Sequence, residues 1–198
     1  MSDNAPDAVF HSAFSRIFGV EDAASTDASV QLDWIDTPVG PMLAGATSTA
    51  VVLLEFSERA ILERQLETLR TRFAARIVPG NNSWLTALRR QLGEYFAGKR
   101  RNFELPLEYP GTPFQEKVWS TLLTIPYGET WSYLELARTI GDTRATRAVG
   151  TANGMNRIAI VIPCHRVINA NGELGGYGGG LWRKRILLDL ELGQKGLF

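Results

Sequence analysis

The spacing of apolar residues changes along this chain, and that change limits what it can fold into. Leu32 to Asp36, Met42 to Ala46 and Val51 to Phe56 are short apolar runs, and Thr37-Pro38-Val39-Gly40-Pro41 supplies a turn between the first two. Runs of this length bounded by proline and glycine read as strands. From residue 58 the period becomes helical. Ile61, Leu62, Leu66, Leu69 and Phe73 share a face of a helix over 58–73. Trp84, Leu88, Leu92 and Phe96 do so over 83–98, with Ser83 as N-cap and Gly98 as C-cap. Residues 31–111 therefore read as a small α/β domain whose aromatic stripe is core packing.

Residues 112–198 read as a second, mainly helical domain. Thr112 caps a helix that has Pro113 at its first position and Phe114, Val118, Trp119, Leu122 and Leu123 on its apolar face. After the turn Pro126-Tyr127-Gly128-Glu129 comes a short helix over 132–140. Gly141-Asp142-Thr143 breaks it, and 144–154 is helical again. Two short helices joined through a glycine-containing turn form a helix-turn-helix pattern, which also occurs in proteins that never touch DNA. Ala148, Gly150, Thr151 and Ala152 put small residues on one side of the second helix, and Arg147 projects from it. Such a face can approach a groove closely.

Residues 1–30 end in a small polar stretch, 22–29, that reads as a linker. Ahead of it Phe10, Phe14 and Phe18 recur every four residues before Gly19. The stretch from Phe10 to Gly19 reads as a docking helix or tail, and it resembles the closing helix of AraC-type DNA-binding domains.

The totals exclude several classes. With 198 residues, 44% hydrophobic and 21% charged, the composition is that of a globular protein. No apolar run reaches the ~20 residues of a membrane span, and the acidic start lacks a signal-peptide pattern. One cysteine and two distant histidines, His11 and His165, make a structural zinc site unexpected. The expectation is a cytoplasmic protein with no metal and no cofactor. Net charge is zero but uneven. Residues 1–30 hold one basic and five acidic residues (−4), 31–111 ten and nine (+1), and 112–198 ten and seven (+3). That bias permits DNA binding without arguing for it.

The chemistry concentrates around the thiol. A β-branched run over 157–162 meets Pro163, which is expected to present Cys164 at the end of a strand. A lone cysteine is ordinarily an inert buried hydrophobe. Here His165 can serve as base or ion-pair partner and Arg166 adds positive charge, and both are expected to lower the thiol pKa. Neighbours on a strand face opposite ways, so a water is the expected link between Cys164 and His165. Beyond the strong turn Asn169-Ala170-Asn171-Gly172, the segment Gly175-Gly176-Tyr177-Gly178-Gly179-Gly180 permits close backbone approach to a ligand. It is not a phosphate-binding P-loop, because no Lys-Ser/Thr pair follows.

Pro163-Cys164-His165-Arg166-Val167 is similar to the active-site motif of O6-alkylguanine-DNA alkyltransferases, or methylated-DNA–protein-cysteine methyltransferases. The resemblance extends over roughly residues 112–193. It takes in Thr112-Pro113-Phe114-Gln115, Ile125-Pro126-Tyr127-Gly128-Glu129-Thr130, Ser132-Tyr133, Arg147-Ala148-Val149-Gly150, Ala152-Asn153-Gly154 and Gly176-Tyr177. More weakly it covers 31–111, through Thr37 to Pro41 and Tyr95 to Gly98.

The resemblance implies a ribonuclease-H-like α/β domain followed by a helix-turn-helix (winged-helix-like) domain. It implies direct-reversal repair: one irreversible transfer of an alkyl group from O6-alkylguanine in double-stranded DNA, with O4-alkylthymine a further candidate, by a monomer. A stacked guanine hides its O6 from a buried thiolate, so the base must swing out. In this picture Cys164 is the nucleophile, His165 takes its proton through a water, and Glu191 orients the imidazole. Asn156 ties the active-site turn. Arg147 replaces the flipped nucleotide and Tyr133 helps rotate it, although Tyr133 also reads as a simple helix start. Thr146 and Gly150 join them against DNA, and the Val167 backbone and Tyr177 line the base pocket, with Gly178 offering an amide near O6. Arg157 stands where many members have proline, which is expected to loosen that turn, and Gly178 stands where some have serine. Two rivals remain at this stage: a DNA-binding regulator or lesion sensor, and a cysteine hydrolase using Cys164, His165 and Glu191.

Overall fold

A computed structural model of the chain describes residues 29–193. The AraC-like stretch and the linker through residue 28 lie outside the described residues. Four strands form the first sheet: β1 (Ser29–Ile35), β2 (Met42–Ala46), β3 (Val51–Phe56) and β4 (Arg76–Pro79), in the order β3-β2-β1-β4. The first three strands form a meander of antiparallel neighbours, as the runs and turn suggest. β4 is a strand that its sequence does not announce. It is four residues long, joins β1 in parallel, and ends on Pro79 at the sheet edge, where a missing N–H costs least.

Helix α1 (Leu62–Phe73) covers one face of the sheet. Beneath it lies a small core of Val30, Leu32, Leu43, Val52, Leu53, Leu66 and Leu69. It starts four residues later than its apolar period suggests, because Arg59 is drawn away to Glu55 and Glu58 to Arg183. Helix α2 (Ser83–Phe96) packs on the other face. Its N-cap is Asn82, not Ser83: Asn82 Oδ1 accepts from the backbone N–H of Trp84 and Leu85, each at 3.0 Å. Asn82→Ala is expected to cost about 1 kcal/mol, read as a lower denaturant midpoint with an unchanged slope.

The second half is built from α3 (Pro113–Leu122), β5 (Trp131–Ser132), α4 (Tyr133–Thr139), α5 (Thr146–Gly154), β6 (Val167–Ile168) and α6 (Leu181–Glu191). Thr112 and Gln115 close a capping box at α3, and Ser132 and Glu135 close one at α4. A 3-10 turn over Thr143–Ala145 precedes α5, where the apolar period suggests a continuous helix. Trp119 is fully buried and its Nε1 donates to the Ala152 carbonyl at 2.8 Å, locking α3 to α5. Ala152 therefore faces the core, while Arg147, Ala148 and Thr151 form the exposed face of α5, correcting the expected small-residue side.

The main core runs without a break from Leu54, Phe56, Leu88 and Tyr95 on the first half to Trp119, Val149, Ile162 and Leu187 on the second. Every residue of β3 is buried, with Val51, Leu54 and Phe56 in this main core and Val52 and Leu53 in the core beneath α1.

The β-branched run at 157–162 is not a strand. It adds one parallel bridge, Leu54 to Ile158, with Leu54 N donating to Arg157 O and Ala159 N to Leu54 O, both at 2.8 Å. Ile160 then takes φ +70°, a conformation β-branched residues rarely adopt, and the chain turns away. Arg157 is itself anchored at this turn. Its Nη1 donates to Pro110 O at 2.8 Å and its guanidinium lies over the Trp119 ring, 5.2 Å from the centroid.

Candidate active site

Cys164 opens a 3-10 turn, Cys164–Arg166, just after Pro163, and is 5% exposed. Asn156 organises the approach to it. Its Nδ2 lies 2.8 Å from Ile162 O and 3.1 Å from Cys164 Sγ, and its Oδ1 accepts from Ile158 N at 2.9 Å. Asn153 Nδ2 adds a bond to Cys164 O at 3.3 Å. Two asparagines thus hold a strained loop whose ladder pairing is limited to the single bridge to Leu54.

Burial pushes the thiol up to about 11, opposed by the Asn156 hydrogen bond. The expectation that His165 and Arg166 lower it is not met. Arg166 turns to Glu191 and to Ile125 O, and burial drives His165 towards the neutral ring. The cations that favour the thiolate are Arg59 and Lys184, from elsewhere in the chain. Lys184 is itself buried, brought down to about 8 by that burial, and donates to Val167 O at 2.5 Å and Gly176 O at 3.2 Å.

His165 and Glu191 are joined as the resemblance implies, through His165 Nε2 and Glu191 Oε1 at 2.8 Å. A carboxylate there accepts Nε2–H, which leaves His165 Nδ1 as a lone-pair acceptor. Nδ1 is buried and has no hydrogen-bond partner among the described residues. Glu191 receives more than the histidine. Tyr95 Oη donates at 2.8 Å, Arg166 Nη2 at 3.0 Å and Nε at 2.8 Å, and Gly128 N at 3.1 Å. Burial alone would raise this carboxyl, but the His165 and Arg166 contacts outweigh it and hold it well below the usual carboxylate range. Gly128 sits at φ +79°, and a Cβ on it would press the Glu191 carbonyl, so the Pro126–Glu129 turn needs glycine on both counts.

A cavity of ≈190 Å³ opens beside the thiol. Tyr133, Gly150, Asn153, Asn156, Tyr177 and Gly178 line it together with Cys164, and so do Glu55, Phe56 and Arg59 from the first half of the chain. Tyr133 Oη donates to Gly176 O at 3.2 Å, and Tyr133 is also the first residue of α4 after the Ser132 cap, the plain helix-start reading. Tyr177 Oη is buried without a hydrogen-bond partner among the described residues. Val167 does not line the cavity. It is fully buried in β6. Thr146 and the exposed Arg147 begin α5, on the surface adjoining the pocket's Gly150. Tyr95, Glu55, Arg59 and Lys184 were not singled out from sequence. Each is a polar group on an otherwise apolar or helical pattern, and only the tertiary contact gives it a task.

This combination is a buried thiol in a small cavity, an oriented imidazole with an open acceptor, and an exposed helix-turn-helix surface beside it. It defines a cysteine group-transfer protein of the nucleic-acid-binding type. The chain belongs to the 6-O-methylguanine DNA methyltransferase family. The family's ribonuclease-like domain matches residues 32–109 and its DNA-binding domain residues 113–193. It is 50% identical over 158 residues, 79% of this chain and 89% of the relative, to methylated-DNA–protein-cysteine methyltransferase of Mycobacterium tuberculosis. The inducible protein of that name from Bacillus subtilis is 44% identical over 135 residues, covering 68% and 75% of the two chains. Among solved structures, Mycobacterium tuberculosis OGT in complex with DNA superposes with a TM-score of 0.72 at 44% identity, covering 83% of this chain and 94% of that one.

Proposed function

We propose that this chain repairs DNA by direct reversal, transferring an alkyl group from O6-alkylguanine to Cys164 once per molecule. The observation that carries the reading is the single thiol lining a small cavity, followed directly by His165, whose imidazole is oriented by Glu191. His165 Nδ1, bridged by a water, takes the thiol proton, and the thiolate attacks the alkyl carbon in line with O6. The thioether has no route back to thiol, so the protein is consumed.

DNA enters along α4 and α5, the two helices of the helix-turn-helix. The DNA complex of the Mycobacterium tuberculosis relative supports this partner. Arg147 fills the place of the extruded nucleotide, Thr146 and Gly150 contact the strand, and Tyr133 steadies the rotated base. Tyr177 and Gly178 border the base. The winged form of the domain is part of this reading, with the β5–β6 pair beside α4 in its support. So is the division into units 31–111 and 112–198, a monomeric state and a cytoplasmic setting. Among the described residues no helix is long and apolar enough to cross a membrane, and no three His, Cys, Asp or Glu side chains group as a metal site.

Intact mass after incubation with a duplex carrying one O6-methylguanine tests the reading. One added methyl, saturating at one per chain, is expected. Binding without a change of mass would instead make the chain a lesion sensor, and repeated turnover on an ester would make it a hydrolase.

A further inference from the structure

We propose that Arg59, delivered from the sheet domain into the base pocket, is a catalytic residue that stabilises the negative charge gathering on the departing guanine. The proposal rests on Cys164 being the nucleophile. In the transfer, a bond forms between sulfur and the alkyl carbon while the carbon–O6 bond breaks. The electron pair stays on the purine, spread over O6 and the ring nitrogens, and the proton first taken from the thiol ends on that purine. A fixed cation beside O6 in a water-poor cavity lowers the barrier to that step, because the charge it meets exists only as the bond breaks.

Arg59 is built for such a task. Its Nη1 donates to Glu55 Oε2 at 2.5 Å and its Nη2 to Gly154 O, at the end of α5, at 3.1 Å. Glu55 is fully buried, and its other contacts, from Gln65 Nε2 and Phe56 N, both at 2.9 Å, keep the carboxylate in place. The guanidinium is thereby pinned at two corners while Nε–H and the second N–H of each terminal nitrogen make no hydrogen bond among the described residues. Lys184, the other cation near the thiol, is committed to two carbonyls. The guanidinium also lies against Gly178: a Cβ there would overlap Nη2, Cζ and Nη1. The glycine that leaves position 178 without a side chain is what admits the arginine.

Single-turnover transfer from an O6-methylguanine duplex should be compared for wild type, Arg59→Ala, Gly178→Ala and the double variant, with duplex affinity and Cys164 alkylation by iodoacetamide measured alongside. Arg59→Ala is expected to slow transfer about ten- to hundredfold, the loss of one charge-assisted hydrogen bond in the transition state. Duplex affinity should hold, and alkylation by iodoacetamide, which expels no purine, should fall far less. Gly178→Ala keeps the Glu55–Arg59 pair in the chain, and so tests the idea even if Arg59→Ala misfolds. It should slow transfer by crowding the guanidinium aside, and add nothing once Arg59 is gone. An unchanged rate in either single variant, a loss confined to duplex affinity, an equal loss with iodoacetamide, or additive effects would each overturn the role of Arg59. A wild type that gains no methyl would overturn the underlying reading instead.

Discussion

Cys164→Ala should abolish methyl uptake while leaving a folded protein that still binds the lesion duplex. No other cysteine is present to substitute for it. The thiol makes one side-chain contact of note, with Asn156 Nδ2, and that nitrogen keeps Ile162 O at 2.8 Å when the sulfur is removed. No buried donor is therefore stranded, and the loss of one sulfur atom from the core is a small cavity term, on the order of 1 kcal/mol. Intact mass and duplex binding read the two halves of the prediction separately. Methyl uptake in the variant would place the acceptor elsewhere. Loss of duplex binding with a retained fold would mean that the sulfur itself holds the lesion.

Glu191→Ala should destabilise the chain by about 3–5 kcal/mol, the cost of stripping the carboxylate from a buried arginine. Arg166, Tyr95, His165 and the Gly128 amide would all lose their acceptor at once. Urea denaturation of the two proteins measures the difference. A loss below about 1 kcal/mol would show that Arg166 finds water or another acceptor, and the carboxylate would then not be the knot that ties α2, the 126–129 turn and α6 together.

The same group sets the response to acid. Its carboxyl is depressed by folding, so its contribution is complete above the unfolded carboxylate's pKa, about 4.3, and is lost as pH falls through the lower folded value. His165, depressed from 6.5 by burial, acts with the same sign: stability starts to fall once pH drops below about 6.5, where the unfolded ring gains a proton that the folded ring resists. Denaturant midpoints should thus decline steadily from pH 7 to 4. A flat profile would require a His165 that is charged in the fold. The transfer rate should also fall on acidification, because a protonated Nδ1 can no longer accept from the thiol.

Much of this was readable in the residues. Strand runs at 32–56, a capping box signalled by Thr112, Pro113 and Gln115, and a proline that stops an apolar run ahead of Cys164 are local signals with local causes. The motif around the thiol named its family. What was misread had causes beyond its own segment. The run at 157–162 has strand composition, yet Asn156 and the close approach of β3 bend it into a loop through a strained Ile160. The thiol's electrostatics were assigned to its neighbours in sequence, His165 and Arg166, because adjacency is all a sequence offers. In the fold Arg166 spends its charge on Glu191, and Arg59 and Lys184, 105 residues before and 20 residues after Cys164, stand in its place. Local hydrogen bonding and side-chain period determine elements and their ends, so the sequence alone pointed to an α/β part followed by a helical part, and its one cysteine in a family motif singled out the candidate nucleophile. Coulomb interactions and burial act through space, so which charges reach the sulfur, and which carboxylate gathers five hydrogen bonds, was decided only when the two halves closed over a common core.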